Sequence, residues 1–131
     1  MQANPNTVPL RIFFDSSVLI AGAFSQKGAS YILLQLANLT LVDGRISEEV
    51  RIESERNVFA RVPTALPLLR VLINEALTLG PPVTTEQIQQ ALPFADPKDA
   101  PILAAAIAQQ CQHLVTLNEK DFWPLTSVVT V

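Results

Sequence analysis

Residues 10–24 read LRIFFDSSVLIAGAF. LRIFF is a short, mostly apolar, β-favouring run of the kind that forms a buried strand. Asp15 then opens DSSVLIAGAF, which starts with helix-capping residues and continues at helix-compatible spacing. A strand that feeds straight into a helix is the unit of an α/β fold. In an open α/β sheet, ligands bind outside the carboxyl ends of the strands, so an acid at this junction points into a site. The same aspartate also suits a helix N-cap, and the residue alone leaves both readings open.

The pattern repeats along the chain. A turn at residues 26–28 precedes ASYILLQLANL, whose apolar positions recur at helical intervals. LTLV (39–42) is expected to be a second strand, closed by the turn pair Asp43 and Gly44. From Ser47, SEEVRIESERNVFARV predicts a charged helix that stops before Pro63, and another helix is expected over residues 65–77. LGPPV ends it before a short extended piece, and TTEQIQQAL opens with capping chemistry at Thr85. DPKDAPILAAAIAQQC reads as a helix with Asp96 at the N-cap and Pro97 at the first helical position. HLVTL is then a strand, NEKDFW a short turn, and TSVVTV a final strand. The expectation is one α/β domain over residues 1–131, with residues 1–9 flexible. Its architecture is a three-layer α/β/α sandwich around a mainly parallel sheet of four or five strands.

Composition narrows the class. Of 131 residues, 49% are hydrophobic and 16% charged. Disorder, which needs low hydrophobicity and high charge, is therefore excluded. Apolar runs such as VLIAGAF and AAAI fall well short of the ~20 residues that span a bilayer. The net charge of −3 gives no bulk basic field for nucleic acid. Cys111 is the sole cysteine, so no internal disulfide forms; its setting, AIAQQCQHL, reads as a small buried hydrophobe. One cysteine and one histidine, His113, cannot build a zinc site of the usual kind, and His113 reads as structural. The start, MQANPNTVPLR, lacks the pattern of a signal peptide, and a cytoplasmic location is expected.

The twelve acids are few, and their positions carry the chemistry. Asp15 and Asp121 each follow a strand, and Asp96 and Asp99 lie three apart at a helix start. Ile46, Val50, Asn57 and Val58 mark one side of the helix and Glu53 falls on it; periodicity also admits Glu49 and Glu55, with Glu53 modestly favoured. Each acid has a structural explanation of its own: a cap, a dipole partner or a surface ion pair. As a converging set without basic partners they would repel, and a divalent metal is the usual resolution. Oxygen-only ligands favour Mg²⁺ or Mn²⁺ over zinc. Such a centre can activate water and stabilise an in-line phosphoryl displacement.

These motifs resemble those of PIN-domain nucleases. FFDSSVLIAGAF is similar to the family's opening strand–Asp–helix motif, and EEVRIESERNVF to the helix that holds its glutamate. DAPILAAAIAQQCQHLVTLNEKDF resembles its C-terminal signature, and order and spacing agree over about residues 10–131. The resemblance implies metal-binding catalytic acids at Asp15, Glu53, Asp99 and Asp121, with Asp96 as an additional metal acid. Ser17, Thr116 and Asn118 match supporting polar positions; Ser17 stands where Asn is more frequent, and Ser54 where an apolar residue is usual. It further implies Mg²⁺- or Mn²⁺-dependent hydrolysis of RNA, and, since many small members are VapC-like toxins, a homodimer with a cognate antitoxin. The rival within the same fold is a protein without turnover that acts as an RNA-binding or protein-interaction module. Haloacid-dehalogenase-like phosphatases want a second Asp where Ser17 stands, and receiver domains want an acidic pair and a late lysine; neither fits.

Substrate contacts are sought among the nine basic residues. Arg45, Arg51, Arg56, Arg61 and Arg70 crowd residues 45–70, and arginine suits phosphate. From that stretch Arg51 and Arg56 are taken as substrate-binding, together with Lys98 and Lys120, which flank the site acids. Trp123 offers either a stacking surface for a base or a packing residue.

Overall fold

The fold is that of a computed structural model, which describes residues 8–122 and 128–130. Strands β1 (Arg11–Phe14), β2 (Asp43–Ile46), β3 (Leu77–Leu79), β4 (His113–Thr116) and β5 (Val128–Thr130) form one sheet in the order β3-β2-β1-β4-β5. Every neighbouring pair is parallel. Helices α1 (Ser16–Phe24) and α2 (Ala29–Asn38) connect β1 to β2, and α3 (Glu48–Arg61) and α4 (Leu66–Ala76) connect β2 to β3. The chain then crosses back through α5 (Thr85–Ala91) and α6 (Ala100–Ala108) to β4.

Right-handed crossovers place connections that run in opposite directions along a sheet on its opposite faces. Accordingly α1 to α4 pack on one another, while α5 and α6 pair separately. The result is a three-layer α/β/α sandwich, as the strand–helix alternation leads one to expect. Strand order reverses between β1 and β4, which makes the carboxyl ends of these two strands the switch point where such folds bind ligands. Residues 1–7, 123–127 and 131 lie outside the described residues, and with them Trp123, most of the segment 1–9 and the ends of the expected strand TSVVTV.

The core explains the pattern. β1 is central and covered on both sides, so Phe13 and Phe14 are both fully buried, as expected for an interior parallel strand. Val18 and Leu19 of α1, Leu34 of α2, Val50 and Val58 of α3 and Leu69 of α4 close one face. The apolar run of α6, Ile102 to Ala106, is buried throughout. Among the described residues, no helix is long and apolar enough to cross a membrane.

Four boundaries differ from expectation. LTLV is no strand: Leu39 and Leu41 are 64% and 44% exposed, and Thr40, at φ 59°, closes α2. Its N–H donates to the Ala37 carbonyl, and that of Leu41 to the Leu36 carbonyl, the pattern that ends a helix. The strand is the next segment, where Asp43 accepts ion pairs from Arg11 (3.0 Å) and Arg45 (2.8 Å) and Gly44 meets α2 and β3. The two guanidiniums, Arg45 foremost, hold the Asp43 carboxyl below the usual range. Local turn chemistry thus yields to pairing with a distant arginine. β3 follows α4 directly instead of following LGPPV, and α5 is capped by Thr84, whose hydroxyl accepts from Gln87 N while Gln87 Oε1 accepts from Thr84 N.

The fourth difference bears on function: α6 begins at Ala100, one turn later than Pro97, with Asp99 at the N-cap and Pro101 in the first turn. Gly44 is required for a different reason from a turn, because a Cβ there would lie 2.7 Å from Leu77 Cδ2 and 3.1 Å from Ala37 Cβ. Gly44→Ala is expected to cost about 1–3 kcal/mol through overpacking, read as a lower urea midpoint with an unchanged slope.

Candidate active site

Asp15 leaves the end of β1 with an extended backbone and caps α1, its Oδ1 accepting from Ser16 N at 2.9 Å. Its Oδ2 accepts from two hydroxyls, Ser17 Oγ and Thr116 Oγ1, each at 2.8 Å. Thr116 ends β4, the neighbouring strand. Both hydroxyls are themselves fixed, Ser17 Oγ by the Leu117 N–H (3.0 Å) and Thr116 Oγ1 by the Asn118 N–H (2.9 Å). The Asp15 N–H donates to the Val115 carbonyl. A carboxylate only 6% exposed is therefore held rigid across the switch point. The cap and the two hydroxyl contacts coincide in one residue because each uses a different oxygen of the carboxylate.

Asp99 is the opposite case. It sits at the N-cap of α6 but makes no side-chain capping bond. The cap is supplied by Asp96, whose carbonyl accepts from the N–H groups of Asp99 (2.8 Å) and Ala100 (3.0 Å). One Asp99 oxygen, Oδ2, is consequently buried with no hydrogen-bond partner. Burial, then the charges of Asp121 and Asp15, push its carboxyl up to about 6, with Glu53 adding to the shift and Lys98 opposing it.

Asp121 is delivered by a short 3-10 turn, Glu119–Asp121, beyond β4. Its carbonyl accepts from Asp96 N at 2.8 Å, which lashes the approach to α6 to the exit from β4. That bond brings Asp99 and Asp121 to the same place although they are 22 positions apart in sequence (121 − 99).

Glu53 arrives from α3. The buried stripe of this helix is Val50, Ser54 and Val58, and Ser54 fits there because its hydroxyl donates to the Val50 carbonyl at 2.6 Å. Glu53 is therefore not in the buried stripe, as its spacing from Val50 suggested; it is exposed and turned one position toward the other acids. Glu55 is taken by Arg51 and Arg70, and Glu49 faces outward beside Arg56.

Asp15, Ser17, Glu53, Asp99, Asn118 and Asp121 line a single cleft of about 610 Å³, shared with Lys98, Asn57, Arg61 and Phe24. Thr116 stands behind Asp15, completely buried. Asp96 does not line the cleft; its Oδ1 accepts from Lys98 N at 3.2 Å. Of the expected substrate contacts, Lys98 is in the cleft. Arg51 is occupied by Glu48 and Glu55, Arg56 lies on a neighbouring shallow groove, and Lys120 is exposed away from the lining. Asn57 and Arg61 were not among the residues chosen as substrate contacts, although Arg61 belongs to the arginine-rich stretch and the two follow Glu53 at i+4 and i+8, on its face of the helix. Among the described residues no three His, Cys, Asp or Glu side chains form a ready-made metal cage. His113 begins β4, at the end of the strand away from the cleft, and Cys111 is half-buried with its thiol pushed up to about 11, an unreactive state.

A PIN-domain family profile matches residues 11–120. The fold is similar to a chain of VapBC2 from Rickettsia felis, solved bound to a DNA fragment from their promoter. Its TM-score is 0.71 at 16% identity, covering 92% of this chain and 98% of that one. A toxin–antitoxin complex from Klebsiella pneumoniae gives a TM-score of 0.67 at 21% identity, with 91% and 96% covered. VapC20 of Mycobacterium tuberculosis, a sarcin–ricin loop cleaving toxin, gives 0.57 at 17% identity, with 79% and 86% covered. At these identities the likeness is one of fold. No curated protein matches the sequence significantly.

Proposed function

Because this chain belongs to the PIN-domain family, we propose that it is a single-domain, divalent-metal-dependent endoribonuclease working in the acidic cleft. The carrying observation is the Asp99 oxygen, buried without a partner among Asp121, Asp15 and Glu53. A buried polar atom left unpaired is costly, and like charges beside it raise that cost. A cation relieves both. The donors are all carboxylate oxygens, which suits Mg²⁺ or Mn²⁺. Asp15, Asp99, Asp121 and Glu53 would hold the ion; Asp96, outside the cleft lining, drops from the set. Once bound, such an ion supplies water activation and charge neutralisation for an in-line displacement at phosphorus.

The chain's own groups do the rest. Ser17 and Thr116 hold the Asp15 carboxylate in one orientation, so no rotamer has to be selected at each turnover. Lys98 faces Asp99 and offsets part of the negative potential that an RNA phosphate meets on entry. Asn118 presents an exposed amide at the same rim. The similarity to chains from toxin–antitoxin assemblies supports a toxin role with a cognate antitoxin; a homodimer is proposed with it.

Mn²⁺ binding by calorimetry and cleavage of single-stranded RNA, measured on the same preparation, test this reading. Cleavage should require Mg²⁺ or Mn²⁺, stop in EDTA and resume with excess metal. RNA or metal binding without turnover would replace the enzyme by a binding module of the same fold. Cleavage undiminished by EDTA would overturn the metal dependence.

A further inference from the structure

We infer that Arg61, set over the Phe24 ring, is the residue that anchors the RNA strand, gripping a backbone phosphate several nucleotides from the one that is cut. The inference rests on the nuclease reading and adds to it the course of the strand. Four of the six arginines are neutralised by carboxylates: Arg11 and Arg45 by Asp43, Arg51 by Glu48 and Glu55, and Arg70 by Glu55. Among the described residues only Arg56 and Arg61 have no such pair, and of these only Arg61 lines the acidic cleft. Its guanidinium lies 6.0 Å from the centre of the Phe24 ring. A cation–π contact of this kind biases where the guanidinium sits while leaving its N–H donors free for phosphate.

The two walls of the cleft set the distance. α1 runs from the Asp15 end to Phe24, and α3, packed beside it, runs from Glu53 to Arg61. Acids therefore occupy one end of the cleft and the Phe24–Arg61 pair the other. Eight residues of helix separate Glu53 from Arg61, about 12 Å. At a rise of about 3.4 Å, that length holds roughly three stacked nucleotides. The cleft thus cuts at its acidic end and holds the strand at its cationic end. An acidic protein needs no basic surface if one arginine is placed in line with the scissile phosphate.

The test compares a single-stranded RNA of about two nucleotides, too short to span the cleft, with one of about twelve. Binding is read by fluorescence anisotropy with Ca²⁺ in place of Mg²⁺, and cleavage separately in Mg²⁺. Arg61→Ala should weaken binding of the long RNA about tenfold and leave the short RNA unchanged. The slope of log affinity against log salt for the long RNA should fall by about 0.7, the value for one phosphate contact on a single strand. Arg61→Gln, which keeps the stem over Phe24, should behave as Arg61→Ala does, and Arg61→Lys should restore the salt slope. An unchanged affinity for the long RNA, or an equal loss on both lengths, overturns the anchor while leaving the nuclease standing. A native chain that cleaves neither RNA overturns the nuclease reading itself.

Discussion

Asp15→Asn is expected to lower metal-dependent RNA cleavage by about a thousandfold, the scale on which removal of a single preorganised charge-stabilising group acts. The loss should appear in kcat, with circular dichroism unchanged. Its cost to the fold is separable. The carboxylate accepts one N–H at Oδ1 and two hydroxyls at Oδ2. An amide can satisfy one side as an acceptor only by presenting its NH₂ to the other. Either the Ser16 N–H faces a donor, or both hydroxyls must turn to accept, and the penalty is about 1–2 kcal/mol. Thermal unfolding alongside initial rates distinguishes these effects: a small drop in Tm with near-total loss of cleavage supports a chemical role. A variant that cleaves at the native rate in Mg²⁺ removes Asp15 from the site.

The second large effect has the opposite sign for stability. Asp99→Asn should abolish cleavage yet stabilise the metal-free protein. The Asp99 carboxyl is pushed up to about 6 in the fold from an ordinary 3.8, so the folded state binds this proton more tightly than the unfolded chain. Stability contributed by the proton is present at low pH, declines as pH rises from about 4, and is gone above about 6. A displacement of that size would be about 3 kcal/mol for a fully desolvated group. Screening of this half-exposed carboxylate reduces it to about 1 kcal/mol. In EDTA at pH 7.5, Asp99→Asn should therefore melt roughly 3 °C higher than the native chain. The difference should vanish near pH 4. Excess Mn²⁺ should reverse the order, because an ion bound only to the folded native chain stabilises it by mass action. A variant that is less stable in EDTA at pH 7.5 would mean that Asp99 is a structural cap after all.

Much of this is legible in the sequence. The run from Leu10 to Phe24 specifies a buried strand, an acid and a helix, and the same alternation recurs at residues 100–121. Local residue preferences and the period of the apolar positions are enough for that, because each element buries its own face. The boundaries that escaped were those governed by distant partners. Asp43 and Gly44 look like a turn, and become a strand only because Arg11 and Arg45 converge on Asp43 while Leu77 and Ala37 pack against Gly44. Asp96 and Asp99 are both competent caps, and nothing local says which one stays uncapped.

The sequence by itself determined an α/β chain of the PIN-domain family with acids at its strand ends, since motif and periodicity are local properties. Tertiary structure alone decided which of those charges are free to act. Asp96 closes its own turn so that Asp99 is left unpaired, and Ser54 takes the buried position that turns Glu53 toward the cleft. Glu55 is consumed by two arginines, Arg51 by two glutamates, and of the arginines among the described residues only Arg61 lines the cleft that holds Asp15, Asp99 and Asp121. A charge is available for chemistry only when no neighbour has neutralised it, and neighbours in space are settled by packing across the whole sheet.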